Sequence, residues 1–147
     1  MTVDIPIKAL YDDVILPTRG SEYAAGYDLY CYASSKITIY PHETVKVKTG
    51  ISVELPEGTF GAIFARSGLA TNKGLRPANC VGVIDSDYRG EILVPLHNDS
   101  DEIKTIEPKE RIAQFILLPF VEMNFIKVDK LNETERGEGG FGSTGTK

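Results

Sequence analysis

TVKVKTGISVEL, residues 44–55, alternates apolar and polar side chains along almost its whole length. A period of two residues is the pattern of a β-strand that buries one face. Pro56, Glu57 and Gly58 then have the composition of a turn, and an apolar run at residues 60–64 follows it. This stretch therefore predicts short strands joined by turns.

Most of the remaining chain repeats this arrangement of short apolar runs and turns. Many short strands with regular turns predict an all-β fold, either a closed barrel or a double sheet, for which a jelly roll is the natural candidate. Only Ser67–Lys73 predicts a helix, which Gly74 would end. The further apolar runs lie at residues 81–84, 92–96, 112–118 and 125–128, and the turns at 88–90, 98–100 and 107–109.

The composition is that of an ordinary globular protein. The chain has 147 residues, of which 41% are hydrophobic and 25% charged, and this fits a single domain. A net charge of -5 argues against broad binding of nucleic acid or anionic membranes, because both need a basic face. No apolar stretch is long enough for a membrane span or a signal-peptide core, so we expect a cytoplasmic protein, or a nuclear one in a eukaryote.

The cysteines and histidines are few and isolated. Cys31 and Cys80 are far apart and neither belongs to a CxxC pair, so we expect reduced thiols. We expect His42 and His97 in surface turns rather than at a zinc ion.

The C-terminal sequence changes in composition, and we predict a packed β domain at residues 1–131 followed by a flexible tail at 132–147. Residues 136–145 read RGEGGFGSTG. Glycines let backbone N–H groups approach phosphate oxygens, and Arg136, Ser143 and Thr144 add donors. Phe141 offers a face to a flat ring. The tail therefore suits a nucleoside triphosphate, and a disordered terminus is the alternative.

A Walker-type phosphate loop does not fit this tail. It would need Lys directly after Gly145, where Thr146 stands, and a helix after that. We therefore expect a flexible flap that closes over a bound ligand.

Polar residues interrupt the predicted strands at several places. Asp28 lies in AAGYDLY, residues 24–30, and a buried Asp needs either a structural hydrogen-bond partner or a cation. Ser67 follows Arg66 at the predicted helix start, where an N-cap is the simplest role and phosphate binding is the alternative. Gln114 is polar within an apolar strand, which alone signifies little.

The segment NCVGVIDSDYRG, residues 79–90, is an apolar, hairpin-like element that ends in an acidic turn. Starting a turn is the commoner role for a cluster such as Asp85 and Asp87.

Five segments, taken in order, resemble the five sequence motifs of the homotrimeric dUTP pyrophosphatase family, the dUTPases. They are AAGYDLY at 24–30, ARSGLA at 65–70, GVIDSDYRGE at 82–91, RIAQ at 111–114 and RGEGGFGSTG at 136–145. The resemblance covers nearly the whole chain. It implies jelly-roll subunits in a homotrimer, with active sites at subunit boundaries that are closed by a neighbour's tail. It also implies hydrolysis of dUTP to dUMP and pyrophosphate, with Mg²⁺ bound mainly by the triphosphate.

The resemblance also assigns a role to each matching residue. Asp85 resembles the carboxylate that orients and deprotonates the attacking water, and Tyr88 resembles the aromatic residue that excludes a 2′-hydroxyl. Asp28 resembles the acid that supports the water shell of the metal. The implied substrate contacts are Asn79, Gly82, Val83, Ile84 and Phe141 for uracil, Arg66, Ser67, Gly68, Gln114, Arg136, Ser143 and Thr144 for the phosphates, and Gly142 beside them.

Two motifs depart from the family pattern. The second usually reads Gly-Arg-Ile-Ala-Pro before Arg-Ser-Gly, whereas Ala62, Phe64 and Ala65 stand here, so the rigidity of the loop at Arg66 is in question. Lys109 and Glu110 replace the usual turn of the fourth motif.

Two other functions compete with dUTP hydrolysis. A dCTP deaminase shares the fold and the nucleotide class, but its members do not usually carry the uracil-stacking tail. A jelly-roll binding module without catalysis explains the strands, but it gives no reason for Asp85, Tyr88 and the tail to occur together.

Overall fold

The computed structural model describes residues 2–147, which form twelve short strands and one helix. No helix in this part of the chain is both long and apolar enough to cross a membrane. In chain order the elements are β1 Ile7–Ala9, β2 Thr18–Arg19, β3 Tyr27–Tyr30, β4 Ile37–Ile39, β5 Thr44–Lys48, β6 Ile51–Val53, β7 Thr59–Phe64, α1 Ser67–Lys73, β8 Leu75–Pro77, β9 Gly82–Ile84, β10 Leu93–Asn98, β11 Lys104–Ile106 and β12 Arg111–Pro119.

The strands pair antiparallel in four sheets. The largest has the order β2-β3-β12-β7-β9, and a second has the order β5-β10-β8. Two further pairs, β1 with β6 and β4 with β11, complete the set. Apart from β2 and β3, strands that are neighbours in a sheet are not consecutive in the chain, as in the predicted jelly roll, and the fold is all-β with one short helix.

The alternating stretch at residues 44–55 forms two strands that belong to different sheets. Val47 of β5 is opposite Val94 of β10 and both are fully buried, while Lys46 and Lys48 are exposed. Gly50 then adopts a left-handed conformation with φ 74°, and β6 pairs with β1. The predicted strands are confirmed, and Gly50 is the point where the chain leaves one sheet for another.

The core is a single apolar cluster to which several of the sheets contribute, with members such as Leu29, Ile63 and Ile112. Asn98 is a polar residue without exposed surface within it, and its amide donates to the carbonyls of Ile39 at 3.0 Å and Glu102 at 2.7 Å. These bonds satisfy the side chain, as a buried polar group requires.

Helix α1 has the predicted bounds. Gly74 follows it in the left-handed conformation, with φ 69°, and its N–H bonds to the carbonyl of Ala70, which ends the helix. The N-cap prediction was wrong, since Arg66 occupies that position with no side-chain capping bond and Ser67 is the first helical residue. Leu69 is the residue that anchors the helix in the core.

Three other expectations are corrected or refined. Residues 125–128 are not a strand, because the last strand ends at Pro119 and no partner strand within residues 2–147 pairs with them. His42 lies in a turn as expected, but His97 lies in β10, half-buried, with its Nδ1 2.8 Å from the hydroxyl of Thr44. The two cysteines are free thiols, one buried and one exposed.

Candidate active site

Asp28 of β3 and Gln114 of β12 are direct partners across the largest sheet, so their side chains lie on one face. Gln114 Nε2 donates to the carbonyl of Ala65 at 2.9 Å, which fixes the amide beside the segment that precedes α1. A Cβ at Gly26 would lie 2.4 Å from Gln114 Oε1. Glycine is therefore needed at residue 26 for Gln114 to adopt this position.

Arg66 brings a cation to the same place. Its Nε donates to Asp28 Oδ1 at 3.1 Å, and the Asp28 side chain is only 14% exposed. The partner of this half-buried carboxylate is thus a cation, which decides between the two options that the sequence left open. Within residues 2–147 the guanidinium of Arg66 makes no other hydrogen bond, so its two terminal nitrogens remain available for a ligand.

Ser67 and Gly68 begin α1 next to Arg66. Both are exposed, and a Cβ at Gly68 would meet no atom within 4 Å. The first N–H groups of a helix have no partner inside the helix. Arg66, Ser67, Gly68 and Gln114 therefore present several donors and one cation on the same side of the molecule, which is a suitable chemistry for phosphate oxygens.

Strand β9, Gly82–Ile84, forms an edge of the largest sheet, and the residues from 79 to 81 lead into it through a turn rather than as one arm of a hairpin. Strand β9 pairs with β7. Strand β8, which precedes β9 in the chain, belongs to the sheet with the order β5-β10-β8, so the hairpin-like prediction was wrong. The Asn79 amide nitrogen is 3.6 Å from the point where a Gly82 Cβ would stand. The exposed Val83 side chain and the backbone of β9 border this edge.

Asp85 follows β9 directly, and its carbonyl accepts the N–H of Tyr88 at 3.1 Å, so the predicted acidic turn is present. The Tyr88 hydroxyl donates to the carbonyl of Glu91 at 2.9 Å, and Gly90 leaves room for the ring. Within residues 2–147 the carboxylates of Asp85 and Asp87 make no hydrogen bond or ion pair. Both are exposed and available to a ligand or to water.

The two groups of residues lie apart in one chain. Strand β9 is three strands away from β3 in the sheet order, which corresponds to about 14 Å at the usual strand spacing. Ile84 is paired with Gly61, whereas Gln114 is paired with Phe64, so Asp85 is also displaced along the strands. Within one chain, therefore, Asp85 does not converge with Asp28 and Gln114.

The tail contacts neither group. From Val121 onward, the hydrogen bonds and ion pairs in the described part of the chain join only residues of this segment, such as Arg136 Nε to the carbonyl of Gly139 at 2.9 Å. Phe141, Gly142, Ser143 and Thr144 are exposed.

Asp28 fits an indirect role toward a cation better than direct ligation. Both of its oxygens are occupied by arginines, Arg66 on Oδ1 and Arg111 on Oδ2 at 3.4 Å. Within residues 2–147 no three His, Cys, Asp or Glu side chains are grouped so that they would hold a metal ion. Both Asp28 oxygens thus face guanidinium groups, and direct ligation of a metal ion by Asp28 would compete with these contacts.

The comparisons with known proteins place this geometry in a family. The dUTPase family model matches residues 12–145. The chain is 46% identical to the deoxyuridine 5′-triphosphate nucleotidohydrolase of Hydrogenobaculum sp. over 96% of this chain and 97% of that protein. It is 45% identical to the protein of the same description from Escherichia phage T5, over 97% and 99%.

The chain belongs to the dUTPase family. Among solved structures, the dUTPase of Staphylococcus bacteriophage 80alpha with dUpNHpp is similar with a TM-score of 0.87 and 28% identity, over 99% of this chain and all of that one. This likeness agrees with the predicted jelly roll, and the resemblance that the five motifs indicated is confirmed.

Two residues of this dUTPase-family site were missing from the sequence-based set. The motif that contains Arg111 assigns a role only to Gln114, and the motif that contains Gly26 assigns one only to Asp28. The contact of Arg111 depends on a β-bulge that no local pattern indicates. The role of Gly26 depends on the position of Gln114, 88 positions later in the chain, so spacing along the chain could not indicate it.

Proposed function

We propose that the protein hydrolyses dUTP to dUMP and pyrophosphate, with Mg²⁺, by attack of water on the α-phosphorus. The observation that carries the proposal is the convergence of Asp28, Arg66 and Gln114 from three separate motifs on one face of the sheet, in a chain of the dUTPase family. The analogue dUpNHpp in the related phage structure supports a deoxyuridine nucleotide as the ligand.

The phosphate half of the site is formed by Arg66, Ser67, Gly68 and Gln114. A triphosphate repels an incoming nucleophile until its charge is neutralised, and positioned cations and donors supply that neutralisation. Mg²⁺, when bound by the triphosphate, adds charge neutralisation and polarises the phosphoryl oxygens. Asp28 holds Arg66 by its Nε and supports the metal's water shell indirectly.

Asp85 is the residue that accepts the proton of the attacking water. A general base must lie within hydrogen-bond reach of the water, and the exposed Asp85 carboxylate, which has no partner within residues 2–147, is open to such a contact. The turn closed by the Tyr88 N–H holds the Asp85 backbone in place.

The uracil half of the site is the edge formed by Asn79 and Gly82–Ile84. An amide side chain and free backbone groups at a strand edge read the donors and acceptors of a base, as base pairing does. Tyr88 packs against the deoxyribose, where its ring leaves no room for a 2′-hydroxyl. The hydroxyl bond to Glu91 keeps the ring in one orientation.

A homotrimer with shared active sites unites the two halves. The separation of about 14 Å between β3 and β9 supports a site built from more than one subunit. Apolar side chains between Phe120 and Leu131 are also exposed in the single chain, and these include Phe125 and Ile126. Such a segment buries its apolar surface against another subunit.

Residues 132–147 then form the tail that closes over the nucleotide, with Arg136, Ser143 and Thr144 at the phosphates, Phe141 on uracil and Gly142 between them.

This reaction, in the cytoplasm or in a eukaryotic nucleus, limits incorporation of uracil into DNA and supplies dUMP. The domain division that we propose is a β domain at residues 1–131 and a nucleotide-closing tail at 132–147.

The test is a comparison of dUTP, dCTP, dTTP and UTP as substrates with Mg²⁺, with pyrophosphate detected as phosphate after pyrophosphatase treatment. We expect release from dUTP and much less from the other three, because a thymine methyl clashes at the tight edge and cytosine presents the wrong donors. Equal turnover of all deoxynucleotides would contradict uracil recognition. Ammonia release from dCTP would identify a deaminase, and binding of dUpNHpp without any turnover would identify a binding module.

A further inference from the structure

Arg111 reaches the candidate site because β12 contains a β-bulge. Arg111 is opposite Tyr30, Ala113 is opposite Leu29, and Ile112 is the extra residue between them. Ile112 and Ala113 are both buried, although neighbours in a regular strand point to opposite faces. The bulge therefore turns Arg111 to the face of Tyr30 and Asp28, whereas a regular strand would have pointed it into the core.

On that face Arg111 shares the carboxylate of Asp28 with Arg66. Arg111 Nη1 donates to Oδ2 at 3.4 Å, and Arg66 Nε donates to Oδ1 at 3.1 Å. An arginine and a carboxylate usually form a fork of two parallel bonds when nothing else occupies the second oxygen. Here Arg111 uses one acceptor position of the second oxygen and places a second guanidinium beside it, and Arg66 makes one bond instead of two.

We propose that Arg111 is a positioning residue, which occupies Asp28 Oδ2 and so keeps the terminal nitrogens of Arg66 free for the phosphates. The inference rests on the proposed function of Arg66. Without Arg111, the Arg66 guanidinium closes into a fork on Asp28 and uses a nitrogen that the nucleotide needs. Arg111 thus acts on phosphate binding through Asp28 and does not itself contact the substrate.

The test measures the dissociation constant of dUpNHpp in EDTA, so that any role of Asp28 toward the metal does not contribute. We expect Arg111→Gln to weaken binding about tenfold, since one charge-assisted hydrogen bond to phosphate is lost. Arg111→Lys keeps a cation at Oδ2 and should retain most of the affinity. Lys104→Gln is the matched control, because it removes one positive charge from β11, where Lys104 is ion-paired with Glu102, and this variant should bind as the unmodified protein does.

The double variant Asp28→Asn with Arg111→Gln separates positioning from direct contact. A neutral amide does not form the ion-pair fork, so Arg66 is released and binding should recover toward that of Asp28→Asn alone. Equal losses from Arg111→Gln in both backgrounds would mean that Arg111 contacts the phosphates directly, and would overturn the proposal. Unchanged binding by Arg111→Gln would also overturn it.

Two further measurements distinguish the loss of the positioning role from unfolding of the variant and from a failure of the proposed function. Thermal melting of each variant shows whether Arg111→Gln remains folded, and Arg111→Lys provides the comparison if it does not. Hydrolysis of dUTP by the unmodified protein tests the proposed function by itself. Activity of that protein together with unaltered binding by Arg111→Gln would refute only the positioning role.

Discussion

At the scale of single residues, two carboxylates of one turn look alike, but only one of them has a proposed catalytic role. Asp85 and Asp87 lie in the same turn, both are exposed, and neither has a partner within residues 2–147. What separates them is position, since Asp85 follows β9 directly and its carbonyl is fixed by Tyr88. The choice of Asp85 as the base is therefore open to a direct test.

Replacing Asp85 with Asn removes the proton acceptor and keeps the size and polarity of the side chain. We expect kcat for dUTP to fall by about two orders of magnitude or more, with binding of dUpNHpp largely retained. Asp87→Asn is the matched control, with the same charge change in the same turn, and should stay close to normal activity. The reverse pattern would assign the base to Asp87.

The two thiols should differ in reactivity. Burial, together with the nearby Glu110 carboxylate, raises the pKa of Cys31 to about 11, and the side chain is only 2% exposed. The reactive thiolate of Cys31 therefore forms only as the pH rises through about 11, whereas Cys80 is exposed. We expect N-ethylmaleimide at pH 8 to add one group to the native protein, as measured by mass spectrometry, and none to Cys80→Ser. Modification of native Cys80→Ser would contradict this account.

At the scale of elements, local patterns predicted local geometry well. The period of two gave β5 and β6, and Gly74 marked the end of α1, because side-chain alternation and a left-handed exit are decided by neighbouring residues. Residues 125–128 have the composition of a strand, but a strand also needs a partner, and pairing is not encoded locally. The bulge at Ile112 was unpredictable for the same reason.

The close packing of β7 on β12 gives a prediction at this scale. A Cβ at Gly61 would lie 2.3 Å from two ring carbons of Phe115 and 3.3 Å from Ile84 Cβ. Phe115 is only 9% exposed, so its ring has little room to move. We expect Gly61→Ala to lower the free energy of unfolding by about 1–3 kcal/mol through overpacking.

Urea denaturation measures this change, and Gly20→Ala is the control. A Cβ at Gly20 would meet no atom within 4 Å, so its free energy of unfolding should change by no more than about 0.5 kcal/mol. Equal stability of Gly61→Ala and Gly20→Ala would mean that the Phe115 ring of β12 can move away from a Cβ at residue 61 of β7 without cost.

At the scale of the whole molecule, the chain carries separated parts of one proposed site. The five motifs predicted which residues take part, and the structure unites Asp28, Arg66 and Gln114. It leaves β9 about 14 Å from the strand that carries Asp28, and the tail forms no hydrogen bond or ion pair with either group. In the homotrimer that we propose, these parts would meet through contacts between subunits, whose geometry neither the sequence pattern nor a single chain specifies.

Deleting everything after Asn132 tests the tail. Its described hydrogen bonds are internal, so it contributes little to the packed domain. Closing a glycine-rich segment over a nucleotide costs conformational entropy, which stacking by Phe141 and phosphate contacts by Arg136 must exceed. We expect the melting temperature and the trimeric state to stay nearly unchanged while dUTP hydrolysis collapses. Full activity after truncation would return the tail to the alternative of a disordered terminus.

Mixed trimers test whether the tail serves a neighbouring subunit. Subunits with Asp85→Asn have an intact tail, and tail-deleted subunits have an intact Asp85, so each type alone should be nearly inactive. If the tail crosses to a neighbour, refolding the two types together creates some sites that combine both intact parts, and activity should reappear. Mass spectrometry of differently tagged subunits establishes that mixing occurred, and refolding each type alone is the control. Since a tail that closed over its own subunit's Asp85 would leave every site defective, mixed trimers without any recovered activity would contradict the shared site.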